Sequence, residues 1–487
     1  MPAGLLTRPG ARHRVLTAAA GLVPATSGVH RAGWLPSAVA VLAFAAGSML
    51  VVAPAPSYDP WAWLLWGREI AELRLSTAEG PAFKPLPVAV AVLLSPLGGA
   101  APWLWVLIVR VSAVTALLLA YRLATRLSGG FRAAGALAAA GVALSGAFLG
   151  QAASGQSEPM LIAVALGAIA LAHRRRPAAV IACAAACALI RVETWPFLLL
   201  LAAWAWHARP QWRGALAGVT ALVPLAWFLP ELLGSGDLLR SGARARIPNP
   251  GQPALAPVPA LASLTGALSL TPWLLWLGIA ALLPGLLRVP RRHRRALAPA
   301  ASGVAWLLLV AVMAQLGFSG EARYALPGSV LIAISGGIGL GVIVRRLIPH
   351  AAAGAASAAL LVAGLVATHP SLFDIPPAQR HQWRLSGDLS AVIDDAGGRD
   401  AVLACGTPYV GRLRGPLLAY HLDVAKLVVE PDRPPRRPGM VLESRLTPTS
   451  AAGPGRAPGF ARVTANRSWT VHAACSGDAR AAGIRVP

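Results

Sequence analysis

The sequence predicts an all-α polytopic membrane protein of about eleven transmembrane helices, followed by a small α/β domain outside the membrane. Three observations lead to this fold class. Hydrophobic residues make up 56% of the 487 residues and charged residues only 13%, and the mean hydropathy is +0.60. The apolar residues form repeated runs about as long as a bilayer requires, roughly 20 residues each. The arginines fall in short clusters between these runs, which is typical of cytoplasmic loops.

The same arginine clusters explain the net charge of +24 without a nucleic-acid partner, because they follow the topology rather than one continuous surface. Residues 1–32 are basic, and their apolar piece at 15–24 is too short to span. They are interpreted as a cytoplasmic arm, with a signal peptide as the alternative. The expected location is the plasma membrane, and the first span at 33–54 runs from inside to outside.

An outer loop is expected at 55–102, and it opens with the sequence Ser57-Tyr58-Asp59-Pro60. Pro60 suits the first position of a helix, and Asp59 could be a simple N-cap. Residues 61–73 place tryptophans at helical spacing opposite a charged side, which predicts a helix lying in the membrane interface. Asp59 is therefore either a cap or an acid held at the membrane edge.

The remaining spans complete a transmembrane domain over residues 33–368. They are expected at 103–124, 133–150, 159–172, 214–233, 269–287, 297–316, 327–344 and 351–368, with two more within 178–206. Dividing 178–206 at Arg191-Val192-Glu193 lifts two charges out of mid-bilayer, where each would cost roughly 2.5–3.5 kcal/mol. It also keeps the basic clusters inside and leaves the C-terminus outside.

Residues 369–487 have a different composition and predict a small extracytoplasmic α/β domain. An amphipathic helix is expected at 382–396, strands at 402–405, 426–430 and 440–443, and a hairpin around Asn466-Arg467. Cys405 and Cys475 lie on two of the predicted strands in an oxidising compartment, so we expect a disulfide between them. Cys183 and Cys187 are interpreted as packing residues rather than metal ligands.

This topology brings eight unusual polar residues to the outer ends of the spans. They are Asp59, Lys84, Glu158, Arg191, Glu193, Glu321, Arg323 and Tyr324. Each has a structural alternative: Glu158 could favour a helix N-terminus, Arg191 and Glu193 could form a structural pair, and Arg323 could reach to lipid headgroups. Together they predict a site of acids and bases at the lipid boundary, where polar residues are usually functional.

The chemistry that suits such a site is group transfer from a polyprenyl phosphate, whose tail stays in the bilayer. A carboxylate would accept the proton of the acceptor's hydroxyl, and Asp59 is the candidate base. Cations would stabilise the charge that builds on the departing phosphate, and Arg323, Lys84 and Arg191 are the candidates.

The order and sidedness of these motifs resemble the GT-C superfamily of integral-membrane glycosyltransferases, which use polyprenyl-phosphate sugars. The matching stretches are Tyr58-Asp59-Pro60, Lys84-Pro85-Leu86-Pro87, Glu158 at the start of the fourth span, Arg191-Val192-Glu193 and Glu321-Ala322-Arg323-Tyr324. The Arg-x-Glu stretch recurs in actinobacterial members. The resemblance covers about residues 33–368. It implies that Asp59 is the catalytic base and that the later basic residues lie at the lipid phosphate.

One departure from the family is that Asp59 has no acidic neighbour, and Glu158 could be the second acid, with a divalent cation such as Mg or Mn as a candidate cofactor. The predicted reaction is inverting transfer of a sugar from polyprenyl phosphate to an envelope glycan, lipid or protein at the outer face. Glu158 would orient the acceptor or the metal. The alternatives are a transporter or lipid flippase, and a non-catalytic scaffold of envelope biosynthesis. Against the first, the polar residues lie at one face and no internal repeat is visible.

Overall fold

The computed structural model describes residues 34–475, except for 147, 349–354, 356–358, 360, 361, 365, 368, 432, 456 and 457. The predicted basic arm at 1–32 and most of the predicted span at 351–368 lie outside the described residues. The chain divides into two compact units at Ala43 and Phe44, and every contact discussed below lies within the second unit.

The described part of residues 34–348 is built of helices joined by short loops. The α-helices are Trp34–Val51, Tyr58–Ala71, Pro85–Leu94, Ala101–Leu127, Arg132–Leu144, Phe148–Ala153, Glu158–His173, Pro177–Ala188, Trp195–Ala208, Arg213–Ser235, Arg240–Ala245, Pro259–Ser269, Trp273–Leu282, Gly285–Arg288, Pro290–Gln315 and Ala322–Leu347. Short 3₁₀ turns are Ser95–Ala100, Val192–Thr194, Pro210–Trp212 and Pro253–Leu255. The predicted helical character of this part is therefore confirmed.

Several of these helices have the length and composition of membrane spans. Among the described residues, four helical stretches qualify, namely Pro85–Leu127, Pro210–Ser235, Pro290–Gln315 and Ala322–Leu347. A fifth span results if Pro259–Ser269 and Trp273–Arg288, bent by 89°, are taken together. Shorter apolar helices are Leu35–Val51, Arg132–Leu144, Glu158–His173 and Pro177–Ala188. These helices support a polytopic membrane protein, while the number of eleven spans and their orientation stay predictions.

Two of the predicted spans are interrupted in the structure, and the interruption predicted within 178–206 is present. The helix expected at 133–150 ends at Leu144 and resumes at Phe148, and Gly146 between them has a left-handed φ of 49°. The helix expected at 269–287 starts only after Pro272, which lacks the N–H that an unbroken helix needs. Residues 178–206 form two helices, as predicted.

The helix Ala322–Leu347 is the centre of the membrane domain, packed against Arg132–Leu144, Trp273–Leu282 and Pro290–Gln315. Glycines allow this close approach. A Cβ added at Gly339 would lie 1.7 Å from the carbonyl oxygen of Gly278. Small residues at such crossings let helix backbones come together in a membrane. The start of this helix, which carries Arg323 and Tyr324, is therefore held by a rigid element.

Residues 369–475, for which we keep the name C-terminal domain from the prediction, form a mixed sheet and three α-helices in their described part. The strands are Thr407–Val410, Gly439–Arg445, Ala452–Gly453, Ala461–Ala465 and Trp469–Ala474. The helices are Ile375–Asp395, Gly398–Ala404 and Gly415–Leu422, with 3₁₀ turns at Pro370–Asp374 and Lys426–Val428. The first strand is parallel to the second, and the other pairs are antiparallel. Cys405 and Cys475 are joined by a disulfide.

Two of the predicted strands in this domain are wrong. Residues 402–405 belong to or follow the helix Gly398–Ala404, and residues 426–428 form a 3₁₀ turn. Short apolar runs do not distinguish a strand from a buried helical turn. The strand at 440–443, the helix at 382–396 and the hairpin around Asn466-Arg467 are confirmed. In that hairpin, Asn466 Oδ1 accepts hydrogen bonds from the backbone N–H groups of Ser468 and Trp469.

The helix Tyr58–Ala71, here called the Asp59 helix, lies under the C-terminal domain instead of facing lipid. It packs against Pro85–Leu94 and Gly415–Leu422. Trp63 and Trp66 are fully buried, and Trp61 contacts the Tyr420 ring at 5.1 Å. The predicted helix is therefore present, but the expected exposure of its indole rings in the interface is wrong. A local sequence pattern cannot show that a distant part of the chain packs over this helix.

His421 provides a test of this contact between the Asp59 helix and the C-terminal domain. Its ring lies 5.8 Å from that of Trp61, and Ser390 Oγ lies 3.0 Å from Nδ1. Burial, and then the charge of Arg68, lower the pKa of His421 to about 4. Unfolded histidine binds a proton below about pH 6.5, whereas the folded one does not, so protons favour unfolding in this range.

We expect the melting temperature of the full chain in detergent to fall as the pH is lowered from about 6.5 to 5, above the carboxylate range. In His421→Gln that fall should be smaller, because the titrating group is gone. Thermal unfolding of both proteins across this pH range checks the prediction. An equal fall in the two proteins would contradict it.

Candidate active site

Asp59 lies at the second position of its helix, just after the loop that follows the helix Trp34–Val51. The entry to the helix is fixed by Ser57, whose backbone N–H and Oγ both donate to the carbonyl of Ser154, at 2.9 and 3.1 Å. Asp59 is 7% exposed. Its Oδ2 accepts a hydrogen bond from Arg323 Nη1 at 2.8 Å. The carboxylate is thus held in an ion pair across the site.

Arg323 connects three chain segments that are far apart in the sequence. Besides Asp59, its Nη1 donates to Gln156 Oε1 at 3.0 Å, and its Nε donates to Glu321 Oε2 at 2.9 Å. Gln156 Nε2 in turn donates to Ser57 Oγ at 2.8 Å. A guanidinium presents several donors in a fixed plane, so one arginine can orient several acceptors. Arg323 therefore fixes Asp59 relative to the segment that precedes Glu158.

A second arginine lies behind the first and is more deeply buried. Arg191 donates to Glu158 Oε1 through Nη2 and to Glu193 Oε1 through Nη1, the latter at 2.9 Å. Glu158 is 0% exposed and Arg191 is 3% exposed. The Tyr324 ring contacts both cations, with the guanidinium carbons of Arg191 and Arg323 at 4.1 and 5.5 Å from its centroid. The aromatic face attracts both charges.

Lys84 differs from the two arginines in its partners. Its Nζ donates to Ser157 Oγ at 2.9 Å and lies 4.9 Å from the centroid of the Trp63 ring. Among the described residues, no carboxylate lies within ion-pair distance of this ammonium. Burial lowers the pKa of Lys84 to about 8, although Glu158 acts in the opposite direction. Lys84 is thus a buried cation available to an anionic ligand.

The backbone before Lys84 is held by residues that the sequence analysis did not single out. Arg240 donates to the carbonyls of Gly80 and Pro81, both at 2.8 Å. Ser241 Oγ accepts from the N–H of Phe83 at 2.7 Å and donates to Glu231 Oε1. Glu231 is fully buried near the end of an apolar helix. In the sequence, the one sign of this group of residues was a carboxylate near the end of an apolar run. The sequence analysis likewise did not single out Gln156 and Ser157, which lie in a polar stretch before Glu158.

All eight residues singled out from the sequence meet in this place. Asp59 and Glu321 pair with Arg323, Glu158 and Glu193 pair with Arg191, the Tyr324 ring contacts both arginines, and Lys84 lies beside Ser157. The charges come from five separate segments of the chain. Such an arrangement can bind an anion and can accept a proton.

The four carboxylates here are engaged by arginines. Within the described part of the chain, no group of three or more His, Cys, Asp or Glu side chains is placed to hold one. Each of the four carboxylates is instead paired with an arginine. No step of the chemistry considered below is therefore assigned to a metal.

No protein-family model and no curated protein matches the sequence of this chain. Among solved structures it is similar to ArnT from Cupriavidus metallidurans. The ArnT structure bound to undecaprenyl phosphate has a TM-score of 0.52 and 14% identity, covering 91% of this chain and 98% of that chain. The apo structure has a TM-score of 0.54 and 15% identity, with the same coverage. At this identity the likeness shows a shared fold over nearly the whole of both chains.

Proposed function

We propose that this chain transfers a sugar from a polyprenyl-phosphate donor to a cell-envelope acceptor at the outer face of the membrane. The observation that carries the proposal is the convergence of one acid, Asp59, with three buried cations, Lys84, Arg191 and Arg323. The ArnT fold adds support, because one of its structures is bound to undecaprenyl phosphate. The motif resemblance to GT-C glycosyltransferases supports the same reaction class.

In the proposed reaction Asp59 is the general base. Arg323 occupies Asp59 Oδ2, so Oδ1 is the oxygen that would take the proton of the acceptor hydroxyl. The hydroxyl oxygen would then attack the anomeric carbon while the bond from that carbon to the phosphate oxygen breaks. The configuration inverts, and polyprenyl phosphate leaves with the bonding electrons. Arg323 orients the base throughout.

The donor phosphate is assigned to Lys84 and the exposed side of Arg323, whose side chain is 17% exposed. Charge on the leaving phosphate grows as the bond breaks, and preorganised cations in a site of low dielectric constant stabilise it. Arg191 and the fully buried Glu158 lie behind this surface, so we assign Glu158 a positioning role through Arg191. Glu193, Glu321 and Tyr324 complete the shell that orients the two arginines.

The experiment that tests the proposed function is transfer of radiolabelled sugar from polyprenyl-phosphate donors in membranes that contain the chain. Transfer that depends on the chain would establish the reaction class. Membranes that show no transfer from a panel of donors and acceptors would contradict it and would favour a transporter or a scaffold. The role of each residue is then tested with variants.

Lys84→Met should lower kcat/KM for the donor by about 10- to 100-fold, with KM raised and kcat lowered, because hydrogen bonds to charged groups contribute about 1.5–3 kcal/mol and this one strengthens as charge builds on the phosphate. In the wild type, KM should also rise as the pH passes about 8, since Lys84 loses its proton there. Initial rates over a range of donor concentration and pH check both points. In Lys84→Met the rise of KM near pH 8 should disappear.

The matched control is Lys426→Met, which changes the only other lysine in the chain. Lys426 lies in the C-terminal domain and pairs with the exposed Glu79 at 3.1 Å. KM should stay at the wild-type value in this control. An equal rise of KM in both variants would contradict the assignment of Lys84 to the donor phosphate.

A further inference from the structure

A polar cavity lies in the C-terminal domain and plays no part in the site described above. Its volume is about 380 Å³, within the range of small-ligand sites. It opens between the helix Ile375–Asp395, the end of the strand Gly439–Arg445 and the hairpin turn at Asn466-Arg467. It is lined by His381, Arg384, Glu443, Ser444, Arg445, Ala452, Asn466, Arg467, Ser468, Trp469 and Thr470. We call it the arginine cleft.

The charges of the arginine cleft are unbalanced. It contains three arginines and one carboxylate, Glu443, which lies 3.6 Å from His472 Nε2. For two of the arginines, Arg384 and Arg445, no guanidinium partner is found among the described residues. The third, Arg467, reaches Asp388 only at 3.5 Å and is 65% exposed. The cleft therefore presents guanidinium donors that a ligand with negative charge would satisfy.

The walls of the arginine cleft are held together before any ligand binds. From the helix, His381 Nε2 donates to the carbonyl of Arg445 at 3.0 Å, and Gln382 Nε2 donates to that of Leu446 at 2.7 Å. From the hairpin, Asn466 Nδ2 donates to the carbonyl of Asp388 at 2.7 Å. These bonds connect the helix to the sheet on both sides of the cavity. A preformed site loses little free energy to ordering on binding.

The lining also indicates the kind of anion. Apart from the charged groups it consists mainly of hydroxyl and amide side chains, and the one indole, Trp469, is only 1% exposed. The cleft therefore offers hydrogen bonds and positive charge beside some apolar surface, as the hydroxyls and C–H groups of a sugar require. Ligands with several hydroxyls and a carboxylate or phosphate match this lining.

We propose that the arginine cleft binds a short anionic saccharide, held by Arg384 and Arg445 through its carboxylate or phosphate groups. Because of the position of the cleft in the fold, we identify this saccharide as part of the acceptor. This identification rests on the proposed function. The domain that carries the cleft packs on the Asp59 helix through Gly415–Leu422, and the helix Ile375–Asp395 contacts Phe148–Ala153. An acceptor chain held in the cleft would be retained close to the membrane domain.

The test measures binding of α-1,4-linked digalacturonate to the full chain in detergent, by microscale thermophoresis at low salt. Maltose, which has the same type of linkage and no carboxylate, and inorganic phosphate are the comparison probes. We expect digalacturonate to bind more tightly than either. The variant with both Arg384→Gln and Arg445→Gln should bind it about tenfold more weakly or worse.

Arg433→Gln is the matched control, because it makes the same change at an 83% exposed arginine of the same domain outside the cleft. Its affinity for digalacturonate should equal that of the wild type. Equal binding of maltose, phosphate binding as tight as that of digalacturonate, an equal loss in Arg433→Gln, or no binding would each overturn the proposal.

Failure of this proposal can be distinguished from failure of the proposed function. Binding is measured without donor and without turnover, so an inactive chain that binds digalacturonate would contradict the glycosyltransferase assignment alone. A chain that transfers sugar but binds digalacturonate no better than maltose would contradict the cleft assignment alone.

Discussion

Asp59→Asn should lower kcat for sugar transfer by about 10²- to 10⁴-fold, the contribution typical of a general base. The amide has nearly the same shape as the carboxylate and keeps an oxygen that can accept from Arg323, so the ion-pair geometry around it changes little. The amide cannot accept the acceptor's proton, however. KM for the donor should therefore change much less than kcat. Steady-state transfer with radiolabelled donor, at equal amounts of folded protein, measures both constants.

The control is Glu72→Gln, at the C-terminal end of the same helix. Glu72 is 44% exposed and pairs with Arg74 at the surface, where ion pairs contribute little to stability. This variant should transfer sugar at the wild-type rate. Full transfer by Asp59→Asn would remove Asp59 from the role of base. A similar loss in both variants would show that the helix had been disturbed as a whole.

The local features of the site could be predicted from the sequence because short motifs contain them. Asp59 before Pro60, Lys84 before a Pro-x-Pro stretch and Arg191-Val192-Glu193 each stand out against an apolar background. The rule that charges avoid mid-bilayer then placed them at helix ends. The pair of Arg191 with Glu193 could be proposed from their spacing, but the pairing between distant segments could not be predicted. Whether Arg323 bonds Asp59 or Glu158 depends on how helices far apart in the chain cross, and periodicity carries no information on that.

The parts that sequence reasoning missed share one cause, which is dependence on distant contacts. The indoles of the Asp59 helix were expected in the membrane interface, since nothing local indicates that the C-terminal domain covers them. Residues 402–405 were expected to form a strand but lie at the end of a helix. A short apolar run can be buried in either conformation, so its sequence does not distinguish the two. The residues that hold the loop before Lys84, Arg240 and Ser241, lie in a Pro/Gly-rich segment whose pattern suggested only a loop.

Arg191→Met should reduce the free energy of unfolding by about 3–5 kcal/mol, the second large effect that the site predicts. Its guanidinium is the cation that pairs with both Glu158 and Glu193. Removing it leaves two buried carboxylates without their partner, and an uncompensated buried charge is costly. Methionine preserves much of the volume, so the loss would come mainly from charge. Thermal and denaturant unfolding in detergent measure it.

Arg399→Met is the control, because Arg399 is 55% exposed and its ion pair with Asp423 spans 3.4 Å. A pair of this kind contributes about 0–1 kcal/mol. The informative comparison is then a double variant, Arg191→Met with Glu158→Gln. Neutralising the buried acid should restore part of the stability, so that the two changes are not additive. A double variant no more stable than Arg191→Met would contradict this account of the ion pair.

The double variant also separates the two roles that Arg191 could have. If Arg191 only compensates the buried acids, restoring stability should restore sugar transfer in proportion. If it also stabilises the transition-state charge, the double variant should fold and still transfer poorly. We expect the first result, because Arg191 is only 3% exposed and lies behind the surface of Lys84 and Arg323 to which the donor phosphate is assigned. Arg191 then holds the two buried acids, and the charge that develops on the phosphate is stabilised by Lys84 and Arg323.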